Sequence, residues 1–212
     1  MLRTGVVDGF FAVRYSFFRW RHCLAVPKKF ALSFAMAGLT GLLAQVCFRL
    51  PFTPVPVTGQ VLGVLLSGVF CGGIFGSVSQ MIYVGGGFLG VPWFAGGTAG
   101  SAAFFLGPTG GYFIGFILAP LAVGSYTDRY ISARAFFPQL KFMLLGVGII
   151  YFFGAMVLSL AIKAGLWETL VKGVFPFIFI DLLKASLSAG ISSSVLPKAP
   201  YNGELDRSKY VR

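Results

Sequence analysis

Long apolar runs, joined by short basic connectors, leave this chain very few ways to fold. Only 11% of its residues are charged and 57% are hydrophobic, whereas a soluble domain carries about 25% charged residues. Runs of this kind belong in a bilayer, where every backbone N–H and C=O must be satisfied internally, so that only helices and closed barrels can span it. A barrel would show roughly ten-residue segments of alternating polarity; these runs are continuous. The chain is therefore expected to be an all-α membrane protein. The runs fall at 30–48, 57–75, 76–91, 104–126, 138–162 and 173–196, each near the ~20 residues that a spanning helix needs. The third is short and rich in glycine, and only Cys71-Gly72-Gly73 separates it from the second. A six-transmembrane-helix bundle over 30–197 follows, with an extension at 1–29 and a basic tail at 198–212.

A formal net charge of +11 would suit a nucleic-acid binder, but the excess sits beside the apolar runs rather than on one patch. Six spans put both termini on one side. That side holds Arg3, Arg14, Arg19, Arg21, Lys28 and Lys29, then Arg129, Arg134 and Lys141, then Lys198, Arg207, Lys209 and Arg212. The other side holds Arg49, Lys163 and Lys172. Thirteen against three places both termini in the cytoplasm of a multi-pass protein of the cell membrane. Phe10, Phe11, Val13, Phe17, Phe18 and Trp20 could line an interfacial helix against lipid headgroups. Arg14 and Arg21 spoil that stripe, so a surface-lying or partly disordered extension is expected. The first apolar patch, broken by Arg14 and Arg19, is no secretory signal.

No metal or redox chemistry is foreseen. Cys23, Cys47 and Cys71 are isolated and read as apolar filler. His22, the one histidine, lies in a basic flanking stretch.

The centre of the chain is dense in glycine, with eleven of the 29 between Gly85 and Gly115. The stretch from Pro92 to Gly100 cannot be a stable helix, and irregular backbone at membrane depth must line protein or a cavity. A loop carrying Trp93 and Phe94, with Pro92, Gly96 and Gly97, suits a lid over a pocket open to the outer face. Gly110, Gly111 and Gly115 are expected instead to let helices pack closely. The turn Gly107-Pro108-Thr109-Gly110-Gly111 lacks the Gly-Lys-Ser/Thr ending of a phosphate loop, and nothing else resembles an ATP site.

Asp181 and Lys184 stand in the middle of the last run. A charge at the centre of a spanning helix costs roughly 2.5–3.5 kcal/mol on insertion scales, which makes such a residue a functional candidate by default. Spaced i, i+3, the two share a helix face and can partly neutralise each other. A purely structural staple between helices is the competing reading.

At these residues the chain resembles the BioY family, the biotin-binding S components of energy-coupling-factor (ECF) transporters. The matching stretches are Pro54-Val-Pro56-Val-Thr58-Gly-Gln60, Tyr83 through Gly87 to Gly90-Val-Pro92-Trp-Phe94-Ala-Gly-Gly97, Gly107-Pro-Thr-Gly-Gly-Tyr112-Phe-Ile-Gly-Phe116, and Asp181-Leu-Leu-Lys184. Gly59 and Trp93 depart from the family pattern, and the loop after Gly97 carries no basic residue. The resemblance covers about 30–196 and implies a biotin site at Asp181, Lys184, Gln60, Thr58, Tyr83, Trp93, Phe94 and Tyr112. Biotin's ureido ring offers N–H donors and an accepting C=O, which Asp181 and Lys184 could answer together. The aromatic residues would wall its apolar part, and Gln60 is a candidate for its carboxylate. Arg49, on the outer side, is either a second such candidate or a flanking charge.

The resemblance further implies a coupling protein and ATPase subunits as partners, with ATP used by them and no cofactor held by this chain. Ala31 and Ala35 in the first span would dock on the coupling protein; internal packing explains that small-residue face equally well. An S component or facilitator for another vitamin or heterocycle is the alternative. A membrane-embedded enzyme with Asp181 as acid or base lacks a nucleophile, a metal set and a second carboxylate.

Overall fold

A computed structural model describes residues 15–100, 107–201 and 203–210. Phe10, Phe11 and Val13 lie outside the described residues. The chain is mainly helical. Helix α1 covers 15–23, followed by α2 (Val26–Ala44), α3 (Gln60–Cys71), α4 (Gly73–Phe88), α5 (Gly110–Arg129), α6 (Phe136–Ile162), α7 (Leu166–Gly173) and α8 (Phe175–Val195). Proline sits in the first turn of α2 and of α8, where its missing N–H is not needed.

Helix occupies each of the six expected stretches, with differences at the ends. α2 stops at Ala44 and α3 begins at Gln60, not at 48 and 57, because Pro51, Pro54 and Pro56 cannot continue a helix. A short antiparallel hairpin fills the gap: β1 (Cys47–Phe48) pairs with β2 (Val57–Thr58), Cys47 opposite Thr58 and Phe48 opposite Val57. α3 has 12 residues, about 18 Å of helix against a hydrocarbon core of about 30 Å. α5, α6 and α8, with 20, 27 and 21 residues, are long and apolar enough to cross a membrane. α7 lies in what the sequence presents as a connection. Leu166 and Trp167 face outward there while Thr169 and Gly173 are buried.

Phe152, Leu160 and Phe179 are each at least 66% exposed on the helix exteriors. Large apolar faces of this kind are stable against lipid tails, not water, and the chain is a membrane protein. α5 is central, packing against α3, α4 and α6, and α8 lies against α6 and α3. A Cβ at Gly111 would strike the Phe153 carbonyl, and one at Gly115 the backbone of Ile150. These glycines thus allow the close α5–α6 contact expected of them.

The first and last described segments of the chain meet in a polar cap. Residues 15–23 are not merely surface-lying: Phe18 is fully buried and Arg21 nearly so. The Arg21 guanidinium donates to Val69 O at 2.5 Å and pairs with Asp128. It also sits beside Nε2 of His22, whose pKa is pushed down to about 4 by burial first and by Arg21 second. Arg134, without solvent exposure, pairs with Glu204 at 2.7 Å and donates to Thr127 O, Pro197 O and Ala199 O. Its guanidinium lies 4.2 Å over the Tyr201 ring. Asp206 accepts from the Ile131 and Ser132 N–H groups, so much of the basic tail is folded onto the bundle.

Candidate functional site

At the far end of the bundle from this cap, the hairpin loop, the starts of α3 and α5, and α6 and α8 enclose a cavity of about 600 Å³. That falls in the usual range for a small-molecule site. Phe113, Phe116, Ile150 and Phe177 supply apolar wall, while Thr58, Gln60, Tyr112, Asp181 and Lys184 bring polar atoms.

Asp181 is 3% exposed. The Lys184 ammonium donates to Oδ1 at 2.7 Å, and the Tyr151 hydroxyl donates to Oδ2 at 2.7 Å. The i, i+3 spacing places Lys184 beside the carboxylate on one face of α8. Tyr151 comes from α6, across the interface. An ionised carboxylate offers about four acceptor positions, so each oxygen keeps capacity for a donor in the cavity.

Gln60 is oriented on both sides. The Thr58 hydroxyl donates to its Oε1 at 2.7 Å, and its Nε2 donates to the Tyr83 hydroxyl at 2.6 Å. Tyr83 OH donates onward to Trp93 O at 3.2 Å, and the Trp93 indole N–H to Tyr83 O at 2.8 Å. Tyr112 OH donates to Gly173 O at 2.6 Å, tying α5 to the α7–α8 junction.

Five sequence-predicted residues, Asp181, Lys184, Gln60, Thr58 and Tyr112, therefore converge on one cavity. The other three aromatics, Tyr83, Trp93 and Phe94, are not in its lining, contrary to their expected place as walls. Their own packing explains this. The Tyr83–Trp93 hydrogen bonds turn the indole toward α4, and Phe94 packs edge-on to Tyr83 and tilted against Phe113, ring centroids 5.4 and 4.7 Å away. They form a layer behind the wall that holds Gln60. Of the expected lid, Ala95 and Thr98 reach the cavity, whereas Pro92, Gly96 and Gly97 shape the loop. Phe94 pairs with Thr98, and the turn between them puts Gly96 and Gly97 at φ +67° and +76°, a region that favours glycine. Ala31 and Ala35 point outward from α2 beside exposed Phe34.

Sequence reasoning missed Tyr151, Phe113, Phe116, Phe177 and Thr53. Some signals were there. Phe177 lies one turn before Asp181 and Phe116 one turn after Tyr112, each pair on a shared face. Tyr151 is the one hydroxyl in the apolar stretch 142–158, and such a group must find a partner.

An α-helical membrane bundle with a mostly apolar cavity and one ion pair on its wall has the features of a site for a small, partly polar solute. Residues 18–201 match the BioY family, and the chain belongs to that family. It is 45% identical over 151 residues to a "probable biotin transporter BioY" of Methanothermobacter thermautotrophicus, covering 68% of this chain and 96% of that protein. It is 35% identical over 143 residues to the "biotin transporter BioY" of Thermotoga maritima, covering 68% and 82%. The fold matches the crystal structure of "the S-component for biotin from an ECF-type ABC transporter" with a TM-score of 0.73 and 29% identity. That match covers 80% of this chain and 93% of the other.

Proposed function

We propose that this chain is the biotin-binding S component of an ECF transporter, taking up biotin together with an ATP-driven coupling module. The observation that carries the proposal is Asp181 in a 600 Å³ cavity, held by Lys184 from its own helix and Tyr151 from α6. Biotin's ureido N–H groups suit the open acceptor positions on Asp181, and the Lys184 ammonium suits its C=O. Phe113, Phe116, Ile150 and Phe177 suit its apolar rings and chain. Thr58, Gln60 and Tyr112 complete the polar wall, with Tyr83, Trp93 and Phe94 supporting it from behind. An S component for another vitamin or heterocycle is the alternative that a competition panel separates.

In this reading α2, α3, α4, α5, α6 and α8 are the six membrane helices, and the loop from Gly90 to Gly100 is a lid on the outer side. The polar cap is cytoplasmic, as the basic flanks require, and the protein resides in the cell membrane in contact with lipid. The chain performs no catalysis and needs no cofactor. A transmembrane coupling protein docks on the outward face with Ala31 and Ala35, and partner subunits hydrolyse ATP.

Calorimetry with biotin on the purified protein, in detergent and in lipid discs, is the test. Saturable binding that unlabelled biotin displaces and other vitamins do not is expected; its absence in both media overturns the reading. Asp181→Asn leaves a folded, extractable protein whose biotin affinity falls at least ~100-fold, since it removes the charge from hydrogen bonds worth about 1.5–3 kcal/mol each. Unchanged affinity would return Asp181 to a structural staple.

A further inference from the structure

We infer that Arg49 binds the carboxylate of the ligand at the outer mouth of the cavity, opposite the Asp181–Lys184 pair. This rests on the biotin reading and deepens it. The charged side chains of the cavity lining are Arg49, Lys184 and Asp181. Lys184 donates to Asp181 at 2.7 Å and, in the biotin reading, also serves the ureido C=O at the buried end. Arg49 makes no side-chain hydrogen bond or ion pair among the described residues, and the sequence 101–106 carries no acid that could neutralise it. The lining therefore has an excess of one positive charge, located on Arg49.

Placement along the cavity agrees. Asp181 is 3% exposed, whereas Arg49 is exposed, so the two mark the buried and the open end. A molecule with an uncharged polar ring and an anionic tail would enter ring first and leave its carboxylate near Arg49. Two hydroxyls of the lining, those of Thr53 and Thr98, are already committed. The Thr53 hydroxyl donates to Lys172 O at 2.5 Å and the Thr98 hydroxyl to Ala95 O at 3.1 Å. Neither has a proton left for an anion, while a guanidinium presents five donors in a fork that fits a carboxylate.

The loop beneath Arg49 is also restrained. It leaves β1 directly, runs through Pro51, Pro54 and Pro56, and is anchored at Thr53 to α7. Proline limits the conformations of such a loop, so the guanidinium moves about a fixed stem. The loop after Gly97, which has no basic residue, does not have to supply the charge.

The experiment compares biotin with its uncharged primary amide on wild type, Arg49→Gln and Arg49→Lys in lipid discs, with thermal unfolding as a fold control. Wild type is expected to prefer the acid by at least tenfold. In Arg49→Gln the acid weakens about 10–100-fold, the amide is unchanged and the preference disappears; Arg49→Lys keeps part of it. If Arg49→Gln retains the wild-type preference, or loses both ligands equally, the assignment is overturned while biotin binding stands. If wild type binds neither ligand, the biotin reading fails and this inference with it.

Discussion

Asp181 illustrates how one side chain can be tolerable in a membrane helix and still be available for function. Its i, i+3 partner Lys184 is written into the sequence, but the second partner, Tyr151, arrives from another helix and donates at 2.7 Å. Tyr151→Phe should keep the fold and lower biotin affinity by roughly 10-fold, the lower end of a hydrogen bond to a charged group. Equilibrium binding checks this, and an unchanged affinity would mean that Lys184 alone orients the carboxylate. Legibility at this scale depended on distance along the chain. A pair one turn apart shows its geometry in its spacing. Tyr151 and Asp181, thirty residues apart, share nothing that spacing can reveal, and Arg49 read equally well as a flanking charge until the hairpin placed it on the cavity.

Among the elements, the helices were legible because apolar length reports them directly. Their ends were not, since proline and local hydrogen bonds decide those. The hairpin at 47–58 arose where three prolines forbid helix, and α7 arose in a stretch expected to be only a connection. Helix ends also store a testable strain. Lys163, which terminates α6, is the non-glycine residue among those described with positive φ, at +52°. A side chain there costs ~1–2 kcal/mol relative to glycine, part of which glycine returns through its freer unfolded chain. Lys163→Gly should therefore stabilise the protein by ~0.5–1 kcal/mol and Lys163→Val should destabilise it. Unfolding midpoints in detergent would show the order; equal midpoints would mean that the turn relaxes.

At the scale of the whole molecule, the cavity and the polar cap occupy opposite ends of one bundle and should respond separately to change. Glu204→Gln would leave the fully buried Arg134 guanidinium without its counter-charge. Removing one partner of a buried pair typically costs about 3–5 kcal/mol, and the carbonyls of Thr127, Pro197 and Ala199 hold the loss near the lower value. The expected result is a clear drop in thermal stability with biotin affinity of the folded protein unchanged. A loss of affinity at constant stability would instead show that the two ends are coupled.

By itself the amino-acid sequence determined the solvent and the class of fold, because long apolar runs with so few charges belong in a bilayer, only helices and closed barrels span one, and continuous rather than alternating apolarity selects helix. It also determined the Asp181–Lys184 pair, since one helical turn is a local property. Only the tertiary structure decided which aromatics reach the cavity and which stand behind it, that residues 15–23 are docked rather than loose, and that Arg49 opens onto the same space as Asp181. Those outcomes depend on how helices and loops distant in sequence pack together; between lipid-embedded helices that packing rests on van der Waals fit and interhelical hydrogen bonds, whose partners no one stretch of chain records.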